Sequence, residues 1–314
     1  MHKQIGEHLA ALHPELAKRG ISISSQREIA YGVQLRLEKG SENATLNIYY
    51  SLKKGLSQVI GAPAGSELKA ELEEICRGKD DPVGAFHTWE RWIGSDECGK
   101  GDYFGALVVA AFAMDRDLEA DLAAMGVLDS KRLNDRQIKE IAHQLYEKYN
   151  DRISCIVIKP VKYNEIIADM QTRKQNLNDL LAWQHGTAIL NLLEKVPKIQ
   201  GILADQFSRQ KKVAQFLKGR EVTIPVEERP KAESDPAVAA ASIIARYQFI
   251  QSRAAMDRRY GMKFPLGSGR NVLKPAKAFA DKYGWTRLAE VAKLHFITSR
   301  DVRAREIFDS VENK

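Results

Sequence analysis

Two adjacent carboxylates interrupt a stretch that otherwise has the pattern of a buried β-hairpin. Trp92-Ile93 leads directly into Asp96-Glu97, glycines follow at positions 99, 101 and 105, and an apolar run extends from Ala106 to Met114. A buried strand normally avoids Asp, and neighbouring carboxylates repel each other. Because hard divalent cations take oxygen ligands, a bound cation would relieve that repulsion. The stretch predicts a hairpin with a metal site at the end of its first strand, and a solvated pair of surface acids is the alternative.

The excess of positive charge lies in the later part of the chain. The 314 residues carry 48 Lys and Arg against 41 Asp and Glu, a formal net charge of +7. Residues 1–85 contain 11 residues of each sign, so residues 86–314 hold the whole basic surplus. Since a basic surplus favours a polyanionic partner, we expect a phosphate-binding face mainly in this later part.

Cysteine usage and hydropathy indicate the compartment. Cys76, Cys98 and Cys155 form neither a disulfide framework nor a closely spaced zinc pattern, which is typical of a protein in the reducing cytosol. The apolar residues near the N-terminus are interrupted by Glu7 and His8, unlike those of a signal peptide. The longest apolar run is far too short to span a bilayer. We therefore predict a cytoplasmic protein without a membrane partner.

Residues 1–78 have the pattern of a small α+β domain, and a charged linker containing Gly and Pro follows at residues 79–84. The strands that carry Tyr50, Lys53 and Lys54 predict a nucleic-acid face, with ordinary surface residues as the alternative. The predicted elements are a helix over 3–18, strands around 33–37, 46–50 and 58–60, and a helix over 66–76 that Ser66 caps.

Residues 85–314 alternate between strands and helices, which favours an α/β layer architecture. An Asn134–Gln137 capping box and the Asp235-Pro236 pair mark two helix starts. Beyond the hairpin, the predicted elements are strands around 153–158 and 199–205, and helices around 118–125, 134–149, 162–170, 177–196 and 209–218, with a further helix from 235.

The candidate ligands are four carboxylates from separate parts of the chain. Asp96 and Glu97 end one strand, Asp205 ends another, and Glu233 precedes a helix. Sites assemble at the ends of neighbouring strands in α/β sheets, and four carboxylates there can hold two divalent ions for attack on a phosphodiester. Each has an alternative interpretation, since Asp205 can cap the next helix and Glu233 can pair with Lys231.

Four stretches of this sequence together form a recognisable pattern: Ile93–Gly105, Asp129–Lys131, Ala204–Phe207, and Lys231–Ser234 leading into Ala239–Arg246. In this order they resemble the signature of bacterial ribonuclease HIII, within the type 2 ribonuclease H group. The resemblance covers about residues 85–300. The sister family, ribonuclease HII, would usually have Asp at position 233 and would lack an N-terminal extension of this length.

The resemblance implies a fold and an activity. The fold is a ribonuclease H-like mixed central β-sheet flanked by helices in a catalytic domain over 85–314, which ends in C-terminal helices. An N-terminal domain over 1–78 resembles the TATA-binding protein fold and helps to bind substrate. The activity is endonucleolytic hydrolysis of the RNA strand of RNA/DNA hybrids with two Mg²⁺ or Mn²⁺ ions, leaving 5′-phosphate and 3′-hydroxyl ends. A cytoplasmic monomer that acts in DNA replication and repair is expected.

The resemblance also assigns site residues. The catalytic metal ligands fall on Asp96, Glu97, Asp205 and Glu233. The turn Gly99-Lys100-Gly101 matches the element whose backbone contacts ribose 2′-hydroxyls, the group that distinguishes RNA from DNA. Ser130 and Lys131 are expected to face the scissile region or its phosphates, with plain loop residues as the alternative. Cys98 and Lys100 depart from the commonest residues of the pattern, and Lys100 adds a cation to the turn.

Other activities stay open at this point. A ribonuclease HII-like enzyme would excise single ribonucleotides embedded in DNA. Another two-metal nuclease or an integrase-like recombinase would use the same type of fold. A non-catalytic protein would bind the hybrid without cutting it, although all four carboxylates are present.

Overall fold

A computed structural model describes residues 2–51, 55–63, 66–76, 87–127, 130 and 133–302. The chain forms two compact units, Met1–Pro82 and Val83–Lys314. The predicted linker over 79–84 lies outside the described residues. In the described part of the chain, no helix combines the length and the apolar character that crossing a membrane requires.

The first unit is an antiparallel sheet with helices on one face. The strands follow each other in the order β1-β2-β3-β4. Alternate residues of β2 and β3, such as Leu35 and Leu46, are fully buried against the helices. The elements are α1 (Lys3–Lys18), β1 (Ser22–Ile29), β2 (Gly32–Lys39), β3 (Glu42–Ser51), β4 (Gly55–Gly61) and α2 (Glu67–Cys76).

Two features of this unit bear on the expectations from sequence. Strand β1 was not predicted, because it is an edge strand whose mostly exposed residues show no apolar alternation. Tyr50 belongs to the helix-covered face, where it packs against the core and its ring lies 3.9 Å from that of His2. Tyr50 is thus partly occupied by contacts within the unit, and its part in a nucleic-acid face stays a prediction. Lys53 and Lys54 lie outside the described residues.

The second unit is built on a mixed sheet with the strand order β7-β6-β5-β8-β9. The predicted hairpin is confirmed as the antiparallel pair β5–β6, while β8 runs parallel to both β5 and β9. The strands are β5 (Arg91–Cys98), β6 (Leu107–Asp115), β7 (Ile153–Ile158), β8 (Gly201–Asp205) and β9 (Val226–Arg229).

Helices cover both faces of this sheet, which confirms the predicted fold class. Helices α4 and α8 pack on one face, and α5, α6 and α7 pack on the other. Asn134 and Gln137 form the predicted capping box at the start of α4. The helices are α3 (Glu119–Ala124), α4 (Asp135–Tyr149), α5 (Pro160–Thr172), α6 (Leu177–Lys195), α7 (Lys212–Lys218), α8 (Pro236–Tyr260) and α9 (Leu273–Tyr283).

Burial on both faces explains the continuous apolar character of β6, because successive side chains of a strand point to opposite faces. Every residue of β6 from Leu107 to Met114 is fully buried. The neighbouring strand β5 lies so close to α8 that a Cβ atom at Gly94 would come within 2.3 Å of the Ala237 carbonyl carbon. This close packing fixes the last residues of β5 beside the first turns of α8.

Candidate active site at the carboxyl ends of strands β5 and β8

The register of the central sheet brings two of the predicted acids together. Strands β5 and β8 are parallel neighbours, and Ser95 pairs with Ala204. Asp96 and Asp205 are the next residues along these strands, so they lie side by side at the same edge of the sheet. Their proximity has an electrostatic effect, since the charge of Asp205 contributes to the raised pKa of Asp96.

The predicted acid Glu233 lies in a short 3-10 turn, Ala232–Ser234, between β9 and α8. Asp205 Oδ1 accepts a hydrogen bond of 3.0 Å from the backbone N–H of Ala232. Because Ala232 precedes Glu233 directly, this bond fastens the turn that carries Glu233 to the end of β8. Asp205 thus binds this turn, and Asp235 is the residue that caps α8, through the N–H groups of Ala237 and Val238.

Asp96 faces α8, and its pKa is raised well above the ordinary value. Burial is the largest cause, and the negative charges of Glu97 and Asp205 add to it. Hydrogen bonds from the Ser242 side chain and from the Glu97 backbone N–H, the latter 2.7 Å long, act in the opposite direction. A carboxylate in this position is stabilised by a nearby cation.

Glu97 faces the opposite side of the sheet, towards α6. Its Oε2 atom lies 3.3 Å from Nε2 of His185, and its Oε1 atom lies 3.4 Å from Nζ of Lys100. Burial raises the pKa of Glu97, but the hydrogen bond and charge of His185 and the charge of Lys100 outweigh it, and the pKa lies below its ordinary value. Glu97 is therefore ionised and held by one partner on each oxygen.

The donor chemistry of this site fits a hard divalent cation. The available ligands are carboxylate oxygens, and burial with the charges of Asp102 and Asp96 raises the pKa of the Cys98 thiol to about 12, which keeps it protonated. In the described part of the chain, no three His, Cys, Asp or Glu side chains stand close enough together to hold a metal ion. The convergence of all four carboxylates on one ion pair stays a prediction.

The glycines of the predicted substrate turn have different roles. Gly99 has a φ of +88°, and a Cβ atom there would come within 2.3 Å of the Ala106 carbonyl oxygen, so the fold itself requires glycine. A Cβ atom at Gly101 would meet nothing within 4 Å, and this residue is exposed. Lys100 extends towards Glu97, and its Nζ also lies 5.2 Å from the centre of the Phe207 ring. Gly101 is therefore the part of the turn that is open to a ligand.

Two residues from the later part of the chain, Lys293 and Gly267, bind the segment that follows this turn. Lys293 is fully buried, and its ammonium group donates a hydrogen bond of 2.7 Å to the Gly105 carbonyl oxygen. Burial lowers the pKa of Lys293 to about 8. Asp102 Oδ1 accepts a bond of 2.6 Å from the Gly267 backbone N–H. The segment that directly follows the turn is thus attached at two points to residues more than 160 positions further along the chain.

The two remaining predicted site residues have different outcomes. Ser130 is only 6% exposed, and its hydroxyl lies 2.8 Å from that of Ser242, which in turn is hydrogen-bonded to Asp96. Ser130 therefore contacts the serine that is hydrogen-bonded to Asp96. Its contact with a substrate stays a prediction. Lys131 lies outside the described residues.

The sequence analysis assigned no site role to three residues that surround the carboxylates, His185, Phe207 and Ser242, although the last two lie in matching stretches. His185 and Phe207 stack with ring centres 5.2 Å apart. A signal for His185 was present, because Gln184-His185-Gly186 places polar and small residues in the middle of an otherwise apolar, buried helix. The signal for Ser242 was its place in the matching stretch Ala239–Arg246, but Ser among alanines is common in a closely packed helix and does not by itself indicate a site.

Known proteins that are similar to this chain are ribonucleases by name. A family model described as Ribonuclease HII matches residues 93–299. Ribonuclease HIII of Protochlamydia amoebophila is 39% identical over 206 residues, which are 66% of this chain and 66% of that protein. Ribonuclease HIII of Chlamydia pneumoniae is 37% identical over 216 residues, 67% of this chain and 69% of that protein. The matched stretch thus spans about two thirds of these relatives.

Solved structures extend the similarity to both units. Bst-RNase HIII in complex with Mn²⁺ gives a TM-score of 0.62 at 29% identity, over 95% of this chain and 96% of that one. RNase H3 of Aquifex aeolicus gives a TM-score of 0.53 at 23% identity, over 94% and 98%, and supports the fold alone. The motifs that carried the resemblance lie within the matched region. The chain belongs to the ribonuclease HII family, on its ribonuclease HIII branch.

Proposed function

We propose that this protein is an endoribonuclease that hydrolyses the RNA strand of RNA/DNA hybrids and leaves 5′-phosphate and 3′-hydroxyl ends. The observation that carries the proposal is the proximity of Asp96 to Asp205, each of which directly follows the last β5–β8 pair, Ser95 with Ala204; Glu97 is next along the chain. Its relatives are ribonucleases by name, and one structural neighbour was solved with Mn²⁺. We further propose a cytoplasmic monomer that acts in DNA replication and repair.

The proposed ligands for two Mg²⁺ or Mn²⁺ ions are Asp96, Glu97, Asp205 and Glu233. Bound ions would supply an activated water for attack on the phosphorus and charge stabilisation for the leaving 3′-oxygen. Asp96 and Asp205 present oxygens on the α8 side of the sheet edge, and the bond from Ala232 to Asp205 keeps the Glu233 turn beside them. His185 and Lys100 hold Glu97 on the other side.

Substrate recognition in this proposal begins at the turn Gly99-Lys100-Gly101. Because Gly101 is exposed and has no side chain, its backbone can approach a ribose 2′-hydroxyl closely. Ser130 and Lys131 are proposed to lie near the scissile phosphate. Discrimination between RNA and DNA would then rest on backbone contacts, and affinity would rest on phosphates.

The first unit is proposed to raise affinity for the hybrid. The sheet face opposite its helices carries a polar chain in which Arg27 Nε donates to Gln34 Oε1 at 2.8 Å and Gln34 Nε2 donates to Asn47 Oδ1 at 2.7 Å. Deleting residues 1–78 should raise KM by about tenfold or more and change kcat by less than about threefold, because the catalytic carboxylates all lie in the second unit. Equal affinity with and without these residues would contradict this role.

The test of the activity is a cleavage map. A labelled RNA/DNA hybrid, a DNA duplex with one embedded ribonucleotide and a plain DNA duplex are each incubated with the protein in Mg²⁺ or Mn²⁺. Cleavage within the RNA strand of the hybrid, with 5′-phosphate ends, is expected. Cleavage confined to the embedded ribonucleotide would indicate a ribonuclease HII-like activity, and binding without cleavage in either metal would refute the proposal.

A further inference from the structure

His185 occupies an unusual position for a polar side chain. It lies in the middle of α6, on the side that packs against the central sheet, and it is fully buried. Its neighbours Leu181 and Ile189, one helical turn away on either side, belong to the apolar core. Burying an imidazole there costs free energy unless both ring nitrogens find hydrogen-bond partners.

Both nitrogens do find partners, and both partners belong to the end of β5. Nδ1 lies 2.9 Å from the hydroxyl of Ser95, and Nε2 lies 3.3 Å from Oε2 of Glu97. A carboxylate can only accept, so Nε2 carries the proton that it shares with Glu97. The Ser95 hydroxyl can either donate or accept, so it satisfies Nδ1 whether or not that nitrogen carries a proton. The chain Ser95–His185–Glu97 therefore holds the ring at both of its nitrogens.

The plane of the ring is fixed as well. Phe207 stacks on His185 with ring centres 5.2 Å apart and an angle of 27° between the planes. Lys100 lies over the same Phe207 ring at 5.2 Å and reaches the other oxygen of Glu97. His185 and Lys100 therefore both contact the Phe207 ring, and each binds one oxygen of the Glu97 carboxylate.

We propose that His185 is a positioning residue that sets the orientation of the Glu97 carboxylate, acting through the hydrogen-bonded chain from Ser95. This inference rests on the proposed function, since it assigns Glu97 to the cleavage site. Glu97 needs such a partner because it lies beyond the last pair that β5 forms with β8, Ser95 with Ala204, so no paired residue of β8 confines its side chain. Groups that orient a metal ligand typically contribute about 10–100-fold to metal affinity or activity.

Two amide variants separate orientation from packing. The amide nitrogen of Gln in His185→Gln can reach the position of Nε2 and keep a donor for Glu97. The shorter Asn in His185→Asn reaches only the position of Nδ1 and leaves Glu97 without that donor. The apolar variant His185→Leu removes both bonds. Leu192→Ala, a fully buried position two turns along α6, is the matched control for lost stability.

The experiment measures kcat and KM on the hybrid, Mn²⁺ binding to the substrate-free protein by electron paramagnetic resonance, and thermal unfolding. We expect His185→Asn and His185→Leu to lose about 10–100-fold in kcat and about tenfold in Mn²⁺ affinity, with KM changed by less than about threefold. His185→Gln should recover most of both losses. Leu192→Ala should unfold at a lower temperature and keep kcat and Mn²⁺ affinity within about threefold.

Two results would overturn the inference: equal kcat and Mn²⁺ affinity for His185→Gln and His185→Asn, or wild-type values for folded His185→Leu. If His185→Leu does not fold, the comparison of the two amide variants still decides. A failure of the proposed function looks different, because the wild-type protein itself would not cut the hybrid or Glu97→Gln would cut it normally. In that case the Mn²⁺ affinities of His185→Gln and His185→Asn still test whether His185 positions Glu97.

Discussion

The carboxylates at the two ends of the central sheet have opposite electrostatic surroundings. At one end Asp115 pairs across the strands with Arg91 and also accepts a bond of 2.7 Å from Arg152. Burial raises the pKa of Asp115, but the two guanidinium groups outweigh it and hold the pKa below its ordinary value. At the other end Asp96 lies beside Glu97 and Asp205, and its pKa is raised.

The ionised form of Asp115 stabilises the fold, whereas the ionised form of Asp96 destabilises it. Asp115 has opposite charges on two sides, so its ionised form adds to stability. Asp96 has like charges beside it, so its ionised form reduces stability until a cation arrives. Residues that reduce stability in this way concentrate at functional sites, where activity compensates for the loss.

The largest expected effect of this difference is on catalysis. Asp96→Asn should reduce cleavage of the hybrid by more than about 100-fold, since even groups that only orient a metal ligand contribute 10–100-fold. Hybrid binding should stay within about threefold, because it depends mainly on phosphates and 2′-hydroxyls. Single-turnover cleavage and fluorescence anisotropy measure the two quantities. Asp115→Asn is the control and should cut at nearly the wild-type rate, whereas an Asp96→Asn protein with wild-type activity would refute the site.

A second effect is stabilisation by the ion itself. Mn²⁺ at 100 times its dissociation constant should raise the free energy of unfolding of the wild-type protein by about 2.7 kcal/mol, because it binds the folded state. Asp96→Asn should lose most of this gain, and Asp115→Asn should keep it. Thermal unfolding with and without Mn²⁺ provides the measurement. The same gain in both variants would place the ion away from Asp96.

A third effect has opposite signs at the two ends. In the presence of EDTA at neutral pH, Asp96→Asn should raise the free energy of unfolding by about 1 kcal/mol, because one of three neighbouring negative charges is removed. Asp115→Asn should lower it by about 1 kcal/mol, because the neutral amide no longer offers an opposite charge to the two guanidinium groups. Urea unfolding followed by tryptophan fluorescence reports on the second unit, which contains all four tryptophans. Changes of the same sign in the unfolding free energies of the two variants would show that the two ends of the sheet do not differ in this way.

Much of this arrangement follows from patterns that lie close together in the sequence. The hairpin β5–β6 follows from an apolar run next to glycines, and the start of α4 follows from Asn134 and Gln137. Local pattern succeeds in these cases because periodicity and capping are local properties of the backbone. The adjacency of Asp96 and Asp205 has a different basis, because it joins distant strands and was expected from the general rule that sites assemble at strand ends and from the family resemblance.

Other contacts between distant elements were not accessible in this way. The pairing of Glu97 with His185 joins residues 88 positions apart and depends on how α6 packs over the sheet. Strand β9 forms at Val226–Arg229, where the sequence shows charged residues and no alternation, because β8 offers it a parallel edge to pair with. The predicted helix over 209–218 begins only at Lys212, after Lys211 adopts a left-handed conformation with φ of +47°.

The smallest expected effect concerns acid pH at the paired end of the sheet. Because the pKa of Asp115 is lower in the folded than in the unfolded state, its contribution to stability is present above the unfolded pKa of about 3.9 and is lost as pH falls through the folded value. The difference in unfolding free energy between the wild-type protein and Asp115→Asn should therefore be about 1 kcal/mol at pH 7 and shrink progressively as the pH falls below the unfolded pKa and through the lower folded pKa. Asp117→Asn, at an exposed position two residues away, should show almost no difference at neutral or acid pH. A constant difference for Asp115→Asn across this range would mean that the aspartate acts through its shape and hydrogen bonds, without any contribution from its charge.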